Sequence, residues 1–146
     1  MPAERTSALS QGPEGRTTDP EYIPKVDVVT PEYMRDILDR YYTVKWNTNK
    51  ETVAAVKSWT DWPLVVRMPD IQHDFTVMIN DGSVLSVAFG IPEKPRILCV
   101  MLAETMQRIY YDETTSAIEA IAGRIKIRGN ETERRRLLAA ISYLTW

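Results

Sequence analysis

The sequence predicts an α+β domain, with strands largely antiparallel and helices packed on one face of the sheet. Three observations predict it. Apolar residues recur at helical spacing near both ends of the chain, in Met34, Ile37, Leu38, Tyr41 and Tyr42 and again in Leu137, Leu138, Ile141 and Leu144. Between these stretches, two apolar runs at residues 75–79 and 84–89 flank Asn80-Asp81-Gly82, which is a hairpin signature. A separate apolar run at 97–102 and a strictly alternating stretch at 124–128 are interleaved with short helical signals.

The elements follow in order. The first 20 residues hold Pro2, Pro13, Pro20, Gly12 and Gly15 and no aromatic side chain. Such a segment buries too little apolar surface to offset its ordering entropy. Residues 1–28 are therefore expected to be a flexible leader, with 22–29 as an arm that docks, and the domain proper spans 29–146. Thr30 is placed to cap a first helix with Pro31 at its first position. Thr48, with Glu51 three residues on, announces a second helix carrying Val53, Val56 and Trp59 on one face. Residues 64–69 are apolar but too few to separate a strand from a helical turn.

In the hairpin, a three-residue loop pairs Val77 with Leu85 and Phe75 with Val87. That register gathers Phe75, Val77, Ile79, Leu85, Val87 and Phe89 on one face, so it is the expected one, with Gly82 left-handed. Residues 97–102 read as a central strand covered on both sides. Met106 and Ile109 mark a short helix. Ser116 and Glu119 form a second capping box ahead of Ile118 and Ile121, and Gly123 is placed to stop that helix. Residues 124–128 alternate as a strand with one wet face. Asn130 caps the last helix.

Composition narrows the function. The length of 146 residues suits one domain plus a tail. A single cysteine excludes a disulfide framework and a multi-cysteine zinc site. No apolar run approaches the ~18 residues of a membrane span, and no signal-peptide pattern opens the chain, so a cytoplasmic location is expected. The formal net charge of −2 is too small for a purely counterion-driven nucleic-acid binder, yet it conceals an asymmetry. Residues 124–146 carry +4 and the rest of the chain −6. Arg134, Arg135 and Arg136 are the candidate contact for an anionic headgroup, an anionic surface or a partner enzyme. The basic stripe is short and has no interleaved aromatics, which speaks against nucleic acid.

Residues able to do chemistry are few. His73 beside Asp74 is a weak candidate for acid–base catalysis, because no second histidine or evident nucleophile accompanies it. Cys99 sits in the most apolar run and is expected as a core residue. The carboxylates of Asp70, Asp74, Asp112 and Glu113 are expected as solvated charges. No ligand spacing for a metal and no phosphate-binding glycine loop is present, so neither metal nor cofactor is expected.

The C-terminal half carries a resemblance. The hairpin at Asn80-Asp81-Gly82, the run at 97–102 and above all the segment from Ala120 to Asn130 resemble the sterol-carrier-protein-type (SCP2-like) lipid-binding domain. In that segment a helix ends in Gly123, a basic/aliphatic strand follows, and Gly129-Asn130 opens the last helix. The resemblance implies a twisted five-stranded sheet with helices over one face and an apolar cavity between them. It implies binding of acyl chains, sterols or other hydrophobic molecules, by carriers or by accessory proteins of lipid and quinone pathways. It supplies no catalytic group. Tyr110-Tyr111 stand where the family often has a glycine.

The expected function is thus binding and presenting a hydrophobic small molecule. The sheet residues Phe75, Val77, Ile79, Leu85, Val87 and Phe89 are the candidate lining, together with Met106 and Ile121. Two alternatives remain open at this point. One is a small biosynthetic enzyme using the same pocket; the other is an accessory or scaffold subunit, with a homodimer contact through the arm and surface aromatics.

Overall fold

The computed structural model describes residues 23–92 and 95–144. Residues 1–22 of the expected leader lie outside them, as does Trp146.

The described residues form helices α1 (Pro31–Arg40), α2 (Lys50–Ala55), α3 (Ala103–Tyr110), α4 (Ser116–Ile121) and α5 (Glu131–Ser142). The strands are β1 (Trp62–Met68), β2 (His73–Asn80), β3 (Ser83–Phe89), β4 (Ile97–Val100) and β5 (Lys126–Arg128). They make one sheet in the order β3-β2-β1-β4-β5. Only the β1–β4 pairing is parallel, so the sheet is mixed and mostly antiparallel. The run left undecided in the sequence is β1, at the centre of the sheet. The helices pack against the face carrying Leu64, Val66, Phe75, Val77 and Ile79, which are all buried.

Capping follows backbone geometry more than motif. Thr30 caps α1 as expected, its Oγ1 accepting from the Tyr33 amide at 3.1 Å. Asn130 caps α5 by accepting from the Glu133 amide at 2.9 Å. The other two boxes are each displaced by one residue. Asn49 caps α2 and Thr115 caps α4, both with the extended backbone that the position requires. Thr48 turns its hydroxyl back to the Lys45 carbonyl, and Ser116 turns inward to the Tyr41 hydroxyl. Glu119 is drawn to two arginines instead of to the backbone.

The hairpin corrects the expected register. Its loop has two residues, Asp81 and Gly82, with φ of +52° and +85°. Two successive left-handed residues match the twist of the flanking strands. Ile79 therefore faces Val84, but Met78 faces Ser86, because Leu85 bulges out of the ladder. Beyond the bulge Val77 faces Val87 and Phe75 faces Phe89. The bulge keeps Phe75, Val77, Ile79 and Val87 buried and turns Leu85 to the surface, where it is 61% exposed. Gly82 is tucked beneath α2: a Cβ there would come within 2.4 Å of the Val53 carbonyl oxygen.

Two further expectations change. β4 lies inside the sheet, but Ile97 and Cys99 are buried while Leu98 and Val100 are half-buried, so one face only is fully covered. In α5 the buried stripe is Leu137, Ala140, Ile141 and, just past its end, Leu144; Leu138 is exposed.

The N-terminal arm docks where it is described. Gln107 Nε2 donates to the Val26 carbonyl at 2.8 Å, the Tyr111 hydroxyl donates to the Ile23 carbonyl, and Lys25 meets Glu113 at 2.6 Å. Ile23 and Val29 pack on the core.

Candidate functional site

The sheet has two unlike halves. α1 lies over β3, as does the segment Tyr41–Trp46, which continues α1 with π-type winding. Trp46 is fully buried there and donates its indole N–H to the Gly82 carbonyl at 2.8 Å. With Met34, Ile37 and Phe75 it fills this half with large side chains. The other half is built on β4 and β5, which are only four and three residues long. Here an apolar cavity of about 20 Å³ remains between sheet and helices, room for about one water-sized group.

Each wall has a named source. Cys99 and Met101 come from β4 and its end, and Ile125 and Ile127 from β5 and the turn before it. Met106, Leu137 and Ile141 come from α3 and α5. Two hydroxyl-bearing residues complete it: Tyr42 from the π-wound segment and Ser116 from α4. Burial pushes the Cys99 thiol up to about 12, so it is a neutral wall group. Burial also raises the Tyr42 hydroxyl well above its usual range, with Cys99 and Tyr41 adding to it.

The expected lining is therefore only partly brought together. Met106 lines the cavity. Phe75, Val77, Ile79 and Val87 sit in the filled half of the core. Phe89 shares their face but lies on the edge strand, half-exposed, with the Arg35 guanidinium 5.7 Å from its ring centre. Ile121 is 86% exposed, because α4 turns Ser116 and Glu119 inward and its isoleucines outward.

The remaining candidates are engaged locally. Asp74 is gripped by Arg67 at 2.9 and 3.3 Å, and His73 Nδ1 lies 2.8 Å from the Ile71 carbonyl. Asp70, expected as a solvated charge, accepts the Ala103 amide with both oxygens at 3.0 Å and so closes the start of α3. Arg134 donates to the Gly129 carbonyl, Arg135 pairs with Glu131, and Arg136 donates to Ser58 and lies near Glu133. No cluster of side chains suited to a metal occurs among the described residues, and none of their helices is long and apolar enough to cross a membrane.

Two residues escaped the sequence reading. Tyr42 was one aromatic among many; the signal was its place in a Tyr-Tyr pair following an apolar helical stripe. Glu119 was assigned to a cap. It is instead a carboxylate only 1% exposed, bound by Arg124 at 2.5 Å, Thr114 at 2.7 Å and Arg108 at 3.2 Å. Its spacing of three from Ser116 placed both on one helix face.

No protein-family model and no curated protein matches the chain. Solved structures do match in fold. The UbiJ-SCP2 ubiquinone synthesis protein is 9% identical with a TM-score of 0.54, over 79% of this chain and 93% of that one. A crystal structure of sterol carrier protein 2 is 12% identical with a TM-score of 0.52, over 71% and 86%. The stereoselective inverting sec-alkylsulfatase Pisa1 from Pseudomonas sp. is 16% identical with a TM-score of 0.53, over 81% of this chain. This chain spans only 17% of that enzyme. The fold is the one seen in sterol carrier protein 2.

Proposed function

We propose that this protein binds a hydrophobic small molecule between its sheet and helices and carries or presents it. The observation that supports this reading is the apolar cavity over β4 and β5, set in a fold shared with sterol carrier protein 2. An apolar pocket with few polar groups is the usual form of a small-molecule site. Its walls are adaptable: Met101 and Met106 are unbranched and flexible, so they can yield to a guest larger than the cavity. Each buried methylene of that guest contributes ~0.8 kcal/mol, which favours long chains.

Native mass spectrometry of freshly purified protein, with uptake of a long-chain fluorescent lipid, tests the reading. An adduct or saturable uptake is expected. A bare-chain mass together with no uptake overturns it.

A further inference from the structure

The two edges of the sheet are built differently. β5 is three residues long and shows Lys126 and Arg128 to solvent. Shortness and basic charge are common means of keeping a strand edge from pairing with another chain. β3, at the opposite edge, has neither. It runs for seven residues, and from Ser83 to Ile91 the sequence holds no charge and no proline.

The ladder shows which backbone groups of β3 are unused. The Gly90 amide donates to the Asp74 carbonyl at 2.8 Å, which fixes the alternation along β2 and β3. Counting from Gly90, Ala88 and Ser86 exchange hydrogen bonds with β2, whereas Phe89 and Val87 turn their N–H and C=O groups to the outer edge. Across the bulge the outward groups are those of Val84, and they are taken. The Asn47 side chain donates to the Val84 carbonyl at 2.9 Å and accepts from its amide at 2.7 Å. No described residue does the same for Val87 or Phe89. Around them the large apolar side chains of Leu85, Phe89 and Ile91 are between 44% and 61% exposed.

We infer that β3 is a docking edge for a second copy of this chain, the two β3 strands running antiparallel about a two-fold axis at Val87. The sequence on either side of that point suits itself. Val87 exchanges N–H and C=O with the partner's Val87. Leu85 stands opposite the partner's Phe89, joining two exposed apolar side chains. Ser86 stands opposite the partner's Ala88, small against small. A two-fold pairing brings a strand's charges near their own copies, where they repel, so an uncharged strand is what it requires. The same lack of charge gives a charged partner nothing to recognise. The Asn47 clamp on Val84 marks where the pairing stops. The assembly closes as a dimer, because the short basic β5 edge offers no second site.

Sedimentation equilibrium of the full chain, from low to high micromolar, tests the inference. A rise to twice the mass of one chain is expected. Leu85→Lys with Ala88→Lys places charges at two exposed positions. That variant should keep its folded circular dichroism spectrum and associate about tenfold more weakly. The register has its own readout. Residues 86 and 88 of opposite copies form a non-hydrogen-bonded pair about 4.5 Å apart at Cα, within reach of a disulfide. Two copies of residue 86 lie about 7 Å apart on the diagonal, and so do two copies of residue 88. A mixture of Ser86→Cys and Ala88→Cys chains should therefore cross-link on oxidation, and each variant alone should do so far less. Cys99 is buried and adds no background. A dimer unaffected by the lysines, or cross-linking no better in the mixture than in the single variants, overturns the inference. A chain that stays monomeric at every concentration overturns it too and leaves the edge to an extended segment of another protein.

Discussion

At the scale of single residues, Glu119 has the highest stakes. The hydrogen bond from Arg124 holds its carboxyl down to about 2, Thr114 and Arg108 assist, and burial opposes them. A carboxyl depressed in the folded state contributes stability that is complete above its unfolded pKa and lost as pH falls toward the folded one. For Glu119 that window runs from roughly 4.5 down to about 2. Glu119→Gln should cost about 3 kcal/mol in urea unfolding at neutral pH. It should also flatten the acid limb of stability across that window; an acid limb identical to wild type would show that other groups set it. Cys99 gives a second, simpler expectation. With its thiol pushed up to about 12, it should not react with Ellman's reagent at neutral pH until urea unfolds the chain. The first result could not have been argued from the sequence. One cysteine in an apolar run reads as buried, but the partners of a carboxylate come from three separate segments.

At the scale of elements, the hairpin tip and the arm are the parts whose local chemistry can be isolated. Gly82→Ala forces a side chain into left-handed backbone, a strain of about 1–3 kcal/mol, and drives its Cβ toward the Val53 carbonyl, which adds to it. A lowered denaturation midpoint is the expected result; an unchanged one would mean that the tip is free of α2. Tyr111→Phe deletes the bond to the Ile23 carbonyl and the contact with the Tyr33 hydroxyl at 3.0 Å. It should cost ~1–2 kcal/mol and speed proteolysis near residue 23. The elements themselves were largely legible. Alternation and helical spacing located the hairpin, α1 and α5, and Asn130 and Thr30 cap where they were expected. What was not legible has a common cause. The caps at Asn49 and Thr115 are each one residue from the expected position, and the bulge at Leu85 moves the partners of Val77 and Phe75 two residues along β3. Periodicity fixes a face but tolerates such a slip, and only three-dimensional packing chooses between neighbours. The outward Ile118 and Ile121 show the same limit: in α4 a salt-bridged glutamate claims the interior and apolar residues do not.

At the scale of the whole molecule, the two halves of the sheet divide the work. Large aromatics make the β2–β3 half solid, and methionine, leucine and isoleucine leave the β4–β5 half adaptable. The sequence identified the apolar face as a whole, while the small gap beside Cys99, Met106 and Leu137 lies over the β4–β5 half, since a filled core and a cavity have the same pattern of burial. Leu137→Ala enlarges the cavity and should lower stability by roughly 2–4 kcal/mol in the ligand-free protein. Part of that loss should return when a saturating apolar ligand is added, by mass action on the folded state. No recovery in thermal melts with such a ligand would place the binding site elsewhere.

The single parallel pairing has a consequence in time. β1, β2 and β3 follow one another as an antiparallel meander, each strand meeting its neighbour in sequence. β4 reaches β1 only after the chain has passed through the whole hairpin, and β5 joins β4 only after α3 and α4. Distant pairings form slowly because a loop must close before they contribute. The β4–β5 edge is then the last part of the sheet to assemble and the first to come apart. Its amides should exchange with deuterium through brief excursions that leave the meander protected. A guest molecule could enter by the same excursions.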